Sequence, residues 1–310
     1  MAKVNMSVFD STWDAVLPLY SLYIILGALA IISNTLACVV YMSSKILRFR
    51  CQLLIVLSMA DLVNGLAFLL TGIKRLSDVV ERKNFYGYPS VKREYCAKQL
   101  HNVLMAVGSQ WPSIVVLCIG IERFVAVTFP FKFGMLREKN IGVVIGLTCL
   151  FAVSTAVIAV VCGSVFSGND NVYFSCTLNA SFGDSYGMYN YSITILGHIC
   201  GFLFNISAFR YATNSTQKTK IRLTMAITVL SVCLVSLPNI LLYVRRYIKI
   251  DNRIIGYIYC LFCFRSCLNF VVNGLFNRDF NMRIKQLTAH IFPTRHSTEV
   301  THVNRSSVRT

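Results

Sequence analysis

Hydrophobic and polar positions in this chain fall into long blocks, not into the stripes of an amphipathic helix or the alternation of a half-buried strand. Uncharged runs cover 15–44, 99–121, 140–169, 185–209 and 223–244. Two further blocks, 51–73 and 254–277, hold one charge each, Asp61 and Arg265. A hydrocarbon core about 30 Å thick takes roughly 20 residues of helix, and seven blocks are long enough. Inside hydrocarbon each backbone N–H and C=O must be paired within the protein, so these blocks predict helices; barrel strands would be about half as long. The pattern therefore predicts an all-α membrane protein, a seven-transmembrane helix bundle. Its spans lie at about 17–42, 53–73, 100–127, 141–162, 188–211, 222–244 and 254–276. A polar head, 1–14, lacks the apolar stretch and cleavage site of a secretory signal, so the first block reads as an uncleaved span. Residues 278–310 are expected to form a cytoplasmic helix and tail, polar after Pro293.

Composition agrees: 55% of residues are hydrophobic and 14% charged, against roughly 25% charged in a soluble domain. Soluble, disordered, collagen-like and disulfide-rich secreted classes are excluded together. With the N-terminus outside, the inner segments hold 17 Lys and Arg and the outer ones 12. That bias predicts a multi-pass plasma-membrane protein with an extracellular N-terminus and a cytoplasmic C-terminus. The net charge of +17 then serves the flanks of the spans, which rest against anionic membrane lipids. Nucleic acid is not an expected partner, because no soluble basic face exists.

Ten of the twelve cysteines lie in spans or at their ends, where Cys behaves as a small apolar residue. Cys96 and Cys176 remain, both on the oxidising outer side, and are expected to form a disulfide, with two unpaired thiols as the alternative. Asn5 and Asn179 begin outer glycosylation sequons close to the membrane, whereas Asn214 and Asn304 match the same pattern on the inner side. No internal repeat or matched pair of broken spans marks a duplicated transporter. No metal-ligand spacing, nucleophile elbow or phosphate-binding glycine loop occurs, so neither a cofactor nor enzyme chemistry is expected.

At the inner end of the third span the chain reads Glu122-Arg123-Phe124, with Pro130 seven residues after the Arg. This resembles the signature that ends the third helix of rhodopsin-like (class A) G-protein-coupled receptors. Ser33-Asn34, Leu57-Ser58-Met59-Ala60-Asp61, Pro238, and Asn269 followed by Phe280 resemble that family's elements in spans one, two, six and seven, in the same order. Within the family the chain is most similar to the nematode serpentine chemoreceptors of the Srsx class. The resemblance implies a short C-terminal amphipathic helix after span seven. It also implies an Arg123 that Glu122 neutralises in a closed state, and that in an open state helps accept the C-terminus of a heterotrimeric G protein's α subunit. An unknown extracellular ligand, odorant-like or peptide, would drive the opening. A neuropeptide receptor of the same fold is the near alternative; a multi-pass channel or transporter is the distant one.

Many family members carry an acid at the foot of the sixth helix that reinforces the closed state. Here Lys218, Lys220 and Arg222 stand in that region, and like charges form no latch with Arg123, so easy opening and measurable basal signalling are expected. Asp61 and Arg265 are intramembrane charges and hence functional candidates by default. Arg265, Asn269 and Asn273 share one face of span seven, spaced at i, i+4 and i+8. In the family that face meets the span-two Asp around a sodium ion. Arg265 either pairs with Asp61 and takes the place of the cation, or faces a water-filled ligand cavity.

The chain departs from the family pattern in several places. Phe270 and Asn273 replace the Pro and Tyr of span seven, and Ser236 replaces the aromatic residue before Pro238. Cys96 and Arg123 are slightly further apart than usual, which implies a local insertion. The outer half of span three offers Met105 but no acid to hold an aminergic ligand. Tyr191, His198, Asn239, Tyr243 and Tyr257 are candidate pocket residues, with interfacial anchoring as the alternative for the aromatic ones. The outer loops are net basic and favour an anionic or peptide ligand.

Overall fold

The computed structural model describes residues 6–82, 90–166, 168–173, 176–213, 215–244 and 252–291. In chain order its elements begin with α1 (Met6–Met42), α2 (Lys45–Arg50), α3 (Gln52–Arg82), β1 (Ser90–Lys92) and α4 (Arg93–Ala97). Then come α5 (Leu100–Thr128), α6 (Pro130–Val161), β2 (Asn171–Tyr173), α7 (Leu178–Phe182) and α8 (Asp184–Tyr211). The chain continues with α9 (Ser215–Ser231), α10 (Leu237–Val244), α11 (Asn252–Phe276) and α12 (Arg278–Ile291). Among the described residues seven segments are long and apolar enough to cross a membrane: Leu17–Met42, Gln52–Val80, Leu100–Thr128, Ile141–Phe166, Asp184–Tyr211, Gln217–Val244 and Ile254–Phe276.

Several helices run past the apolar blocks that foretold them. Helix α3 continues beyond 73, where Lys74 and Asp78 pair at 2.7 Å one turn apart, a spacing that supports a helix leaving the bilayer. The segment before the third span contains β1 and α4. Strand β1 pairs antiparallel with β2, Val91 opposite Val172, and Arg93 meets Asp170 at 3.0 Å. Helix α4 explains the long spacing from Cys96 to Arg123: the chain breaks at Lys98 and Gln99 and restarts as α5. Just past the end of α4, Lys98 bonds Glu94 at 2.5 Å and holds its carboxyl below the usual range. Cys96 is bonded to Cys176, with Cα atoms 5.3 Å apart.

The sixth span is not one regular helix. A π turn, Val232–Ser236, joins α9 to α10 just before Pro238, and a second, Cys162–Phe166, ends the fourth span. Pro238 has no N–H to return to the turn before it, and a local widening is one way a helix absorbs that loss.

Besides a small apolar cluster of Ala208, Ala212 and Ile221, two large ones fill the bundle. One, toward the disulfide, gathers Tyr23, Phe68, Met105, Phe182, Tyr186 and Leu242; the other, toward Arg123, gathers Tyr41, Leu57, Val116, Ile119, Ile227 and Phe280. Along α3, Phe68 belongs to the first and Leu57 to the second, with buried Asp61 and Asn64 between them. A polar layer therefore crosses the middle of the bundle.

Lipid tails are as apolar as Leu, so helix contact in a membrane rests on close packing at small residues. A Cβ at Gly201 would stand 2.9 Å from the Val116 carbonyl oxygen, and one at Gly197 2.9 Å from that of Ser113. Gly201→Val is therefore expected to force α8 away from α5, at a cost of about 1–3 kcal/mol. Fluorescence-detected size exclusion should show lower folded yield and a lower melting temperature, and wild-type behaviour would contradict that packing.

Candidate functional site

The polar layer centres on Asp61, which is 0% exposed, and Arg265, which is 2% exposed. Asp61 Oδ1 accepts from Arg265 Nη1 and, at 3.0 Å, from the Ser266 hydroxyl; Oδ2 accepts from Asn269 Nδ2. Asn34 Nδ2 donates to the Ser266 carbonyl at 3.0 Å, and Asn64 Nδ2 to the Ser266 hydroxyl at 3.1 Å. Asn273 donates to the Asn269 carbonyl at 2.8 Å and accepts from the Tyr41 hydroxyl at 2.6 Å. Arg265 Nε donates to the Ser231 hydroxyl on α9 at 3.0 Å. The structure thus brings Asn34, Asp61, Arg265, Asn269 and Asn273 into one network. It adds Tyr41, Asn64, Ser231 and Ser266, which the search for charges and motif residues passed over because they are neutral.

A sodium ion, implied by the resemblance, does not fit here. A guanidinium already carries the positive charge beside Asp61, and Ser266 and Asn269 point hydrogens at the same carboxylate. A second cation would meet donors and a like charge. Signalling is expected to be equal in sodium and choline buffers of the same ionic strength. A shift of about fivefold or more, the low end of ordinary allosteric coupling, would contradict this.

Arg123 lies at the end of the bundle away from the disulfide. Its Nη2 is 3.8 Å from Glu122, and its buried Nε has no hydrogen-bond partner among the described residues. Phe124 packs on Phe204 and Tyr211 of α8, ring centroids 5.7 and 6.3 Å apart, which fixes the strand of backbone that carries Arg123. Exposed Pro130 opens α6. A cleft of about 450 Å³ lies against Arg123, with Arg50, Ser215, Thr219, Arg278 and Asp279 in its wall. Lys218 is half-buried and Arg222 exposed, and among the described residues neither forms an ion pair; the Lys220 side chain lies outside them.

Helix α12 closes this end. Phe280 is buried against Tyr41 and Phe270, and Arg283 holds Ser43 through its hydroxyl and carbonyl, each at 2.8 Å.

Toward the disulfide, Met105, Tyr191, His198 and Asn239 are buried and Tyr243 is half-buried. Tyr191 donates to Asn179 Oδ1 at 3.2 Å and shares a 3.0 Å hydrogen bond with Tyr259, a pairing the sequence reading missed. Asn239 Nδ2 donates to the Val235 carbonyl in the preceding π turn at 2.9 Å. Tyr257 needs correction: it is 46% exposed and, with Ile254, Leu261 and Phe264, forms the outward stripe of α11, so it does not line the interior. At the Asn179 sequon the side-chain oxygen accepts from Tyr191 and Ser181 is fully buried. Asn5 lies outside the described residues. A further amide network, Gln110 Nε2 to Asn190 Oδ1 at 2.8 Å with Thr155 donating to Gln110 Oε1 at 3.2 Å, ties α5, α6 and α8 together.

A family model described as serpentine type 7TM GPCR chemoreceptor Srsx matches residues 27–288. The chain belongs to the Srsx chemoreceptor family. The match reaches from the first span into α12, and it is a match to a family of receptors, not of enzymes. No curated protein matches the chain. In this Srsx chain two polar features stand out: the buried pair Asp61–Arg265, which with Ser231 joins three spans at mid-bundle, and the cleft beside Arg123.

Proposed function

We propose that this Srsx chain is a plasma-membrane chemosensory receptor, with an extracellular N-terminus and a cytoplasmic C-terminus, that passes a ligand signal to a heterotrimeric G protein. The observation that carries the proposal is the cleft at Arg123, at the end of the bundle opposite the disulfide. There Glu122 partly neutralises a guanidinium that lines the cleft and keeps 18% of its side chain exposed, so an arriving chain end has a cation to engage. A ligand shifts such a receptor only by binding the open arrangement more tightly than the closed one. The ligand is an odorant-like small molecule or a peptide, drawn by net basic outer loops.

Cells expressing the chain, screened with odorants and peptides under a panel of G-protein reporters and under voltage clamp, test this. A ligand-dependent reporter response without current supports the receptor. A ligand-gated current that persists when G proteins are inactivated favours the channel and overturns the proposal.

A further inference from the structure

Arg265 has five N–H donors, and the structure accounts for two of its three nitrogens. Nη1 serves Asp61 on α3 and Nε serves Ser231 on α9. Nη2 is buried with no partner among the described residues, and so is Nε2 of His198 on α8. Both residues line one small cavity, of about 20 Å³, together with Asp61, Asn64, Ser109 and Ser266. A single water needs about 10–15 Å³ of such space and at least two polar partners.

The chemistry of the two nitrogens is complementary. His198 Nδ1 lies 2.9 Å from the Thr194 carbonyl, which only accepts, so Nδ1 carries the proton and Nε2 is an acceptor. Arg265 Nη2 only donates. A water between them accepts from the guanidinium and donates to the imidazole, and both orphaned atoms are satisfied. Ser231 is equally well placed: its own proton goes to the Ile227 carbonyl at 2.8 Å, which leaves its lone pairs for Arg265 Nε. It is also the last residue before the π turn that interrupts the sixth span.

We propose that this cavity holds one structural water, and that Arg265, through Ser231 directly and through that water to His198, is the latch that holds the fifth and sixth spans closed. The latch acts at mid-membrane and supplies the hold that the basic foot of α9 cannot give. The meaning of "closed" rests on the G-protein reading above; the hydrogen bonds do not. Ser231 and His198 are thus positioning residues that act through Arg265.

The test uses the full chain in lipid nanodiscs with a fluorescent amino acid at Gln217, which reports movement of α9, and nucleotide exchange on added α subunits measured in parallel. Ser231→Ala removes the acceptor and should raise the open fraction about tenfold, the worth of one hydrogen bond to a charged group. Ser231→Thr, which keeps the hydroxyl, should return it to wild type, and His198→Leu should raise it by a smaller factor. An unchanged fluorophore in Ser231→Ala, or equal shifts in the Ala and Thr variants, overturns the latch. A fluorophore that moves while no α subunit responds leaves the latch standing and removes the G-protein reading. A cryo-microscopy map that resolves ordered water should show one peak within bonding reach of both Arg265 Nη2 and His198 Nε2, and an empty cavity there overturns the water.

Discussion

Asp61→Leu alone is expected to remove most of the folded protein, and Asp61→Leu combined with Arg265→Met to restore much of it. The single change leaves a guanidinium that is 2% exposed without its carboxylate, in a layer where no other acid is buried among the described residues. Breaking one side of a buried ion pair costs about 3–5 kcal/mol, while replacing both partners by apolar residues of similar volume is often neutral. Ser266 and Asn269 also lose their acceptor in the single variant, which adds to its cost. Melting temperature and folded yield of the two single variants and the double variant form a cycle. Additive effects would show that the pair is not coupled. The same cycle separates two roles, since an apolar pair can hold the bundle together yet cannot offer Arg265 Nε to Ser231. The double variant should fold and show raised basal movement of the sixth span.

Arg123→Glu should behave in the opposite way, with folding kept and coupling lost. Arg123 is 18% exposed at its side chain and lies in the wall of a cleft, so a carboxylate there is partly covered but keeps access to the solvent in the cleft. The change does place two carboxylates side by side at positions 122 and 123 and removes the donor that the cleft presents. Folded yield is expected to fall less than in Asp61→Leu, whose partner is left buried and unpaired, while ligand-dependent reporter signal falls to that of cells without the chain. A variant that signals normally would show that the cleft has another use.

The bundle was legible in the sequence because hydrocarbon leaves few options: seven long apolar blocks must be helices. Block ends were less legible, since a helix can leave the bilayer on pairs such as Lys74–Asp78. The β1–β2 pairing escaped because three-residue strands in polar loops carry no periodic signal. Asp61 and Arg265 stood out as rare intramembrane charges, whereas Ser231, Tyr259, Gln110 and Asn190 did not, since neutral polar residues are common in spans and only their partners mark them. Tyr257 has the exposure of the anchoring alternative, not of the pocket role, because the helical angle turns it outward, and residue type alone does not disclose that angle. The π turn at Val232–Ser236 follows from Pro238, but its position depends on how α8 and α11 pack around it.

Complex formation between the purified chain and heterotrimeric G protein after enzymatic removal of nucleotide tests the account most directly, with α subunits of each major class tried in turn. Wild-type receptor should co-elute with one of them, release it when a GTP analogue is added, and lose it altogether as Arg123→Glu. Absence of a complex with every α subunit, even for Ser231→Ala, or a complex indifferent to both GTP and Arg123→Glu, would contradict the account.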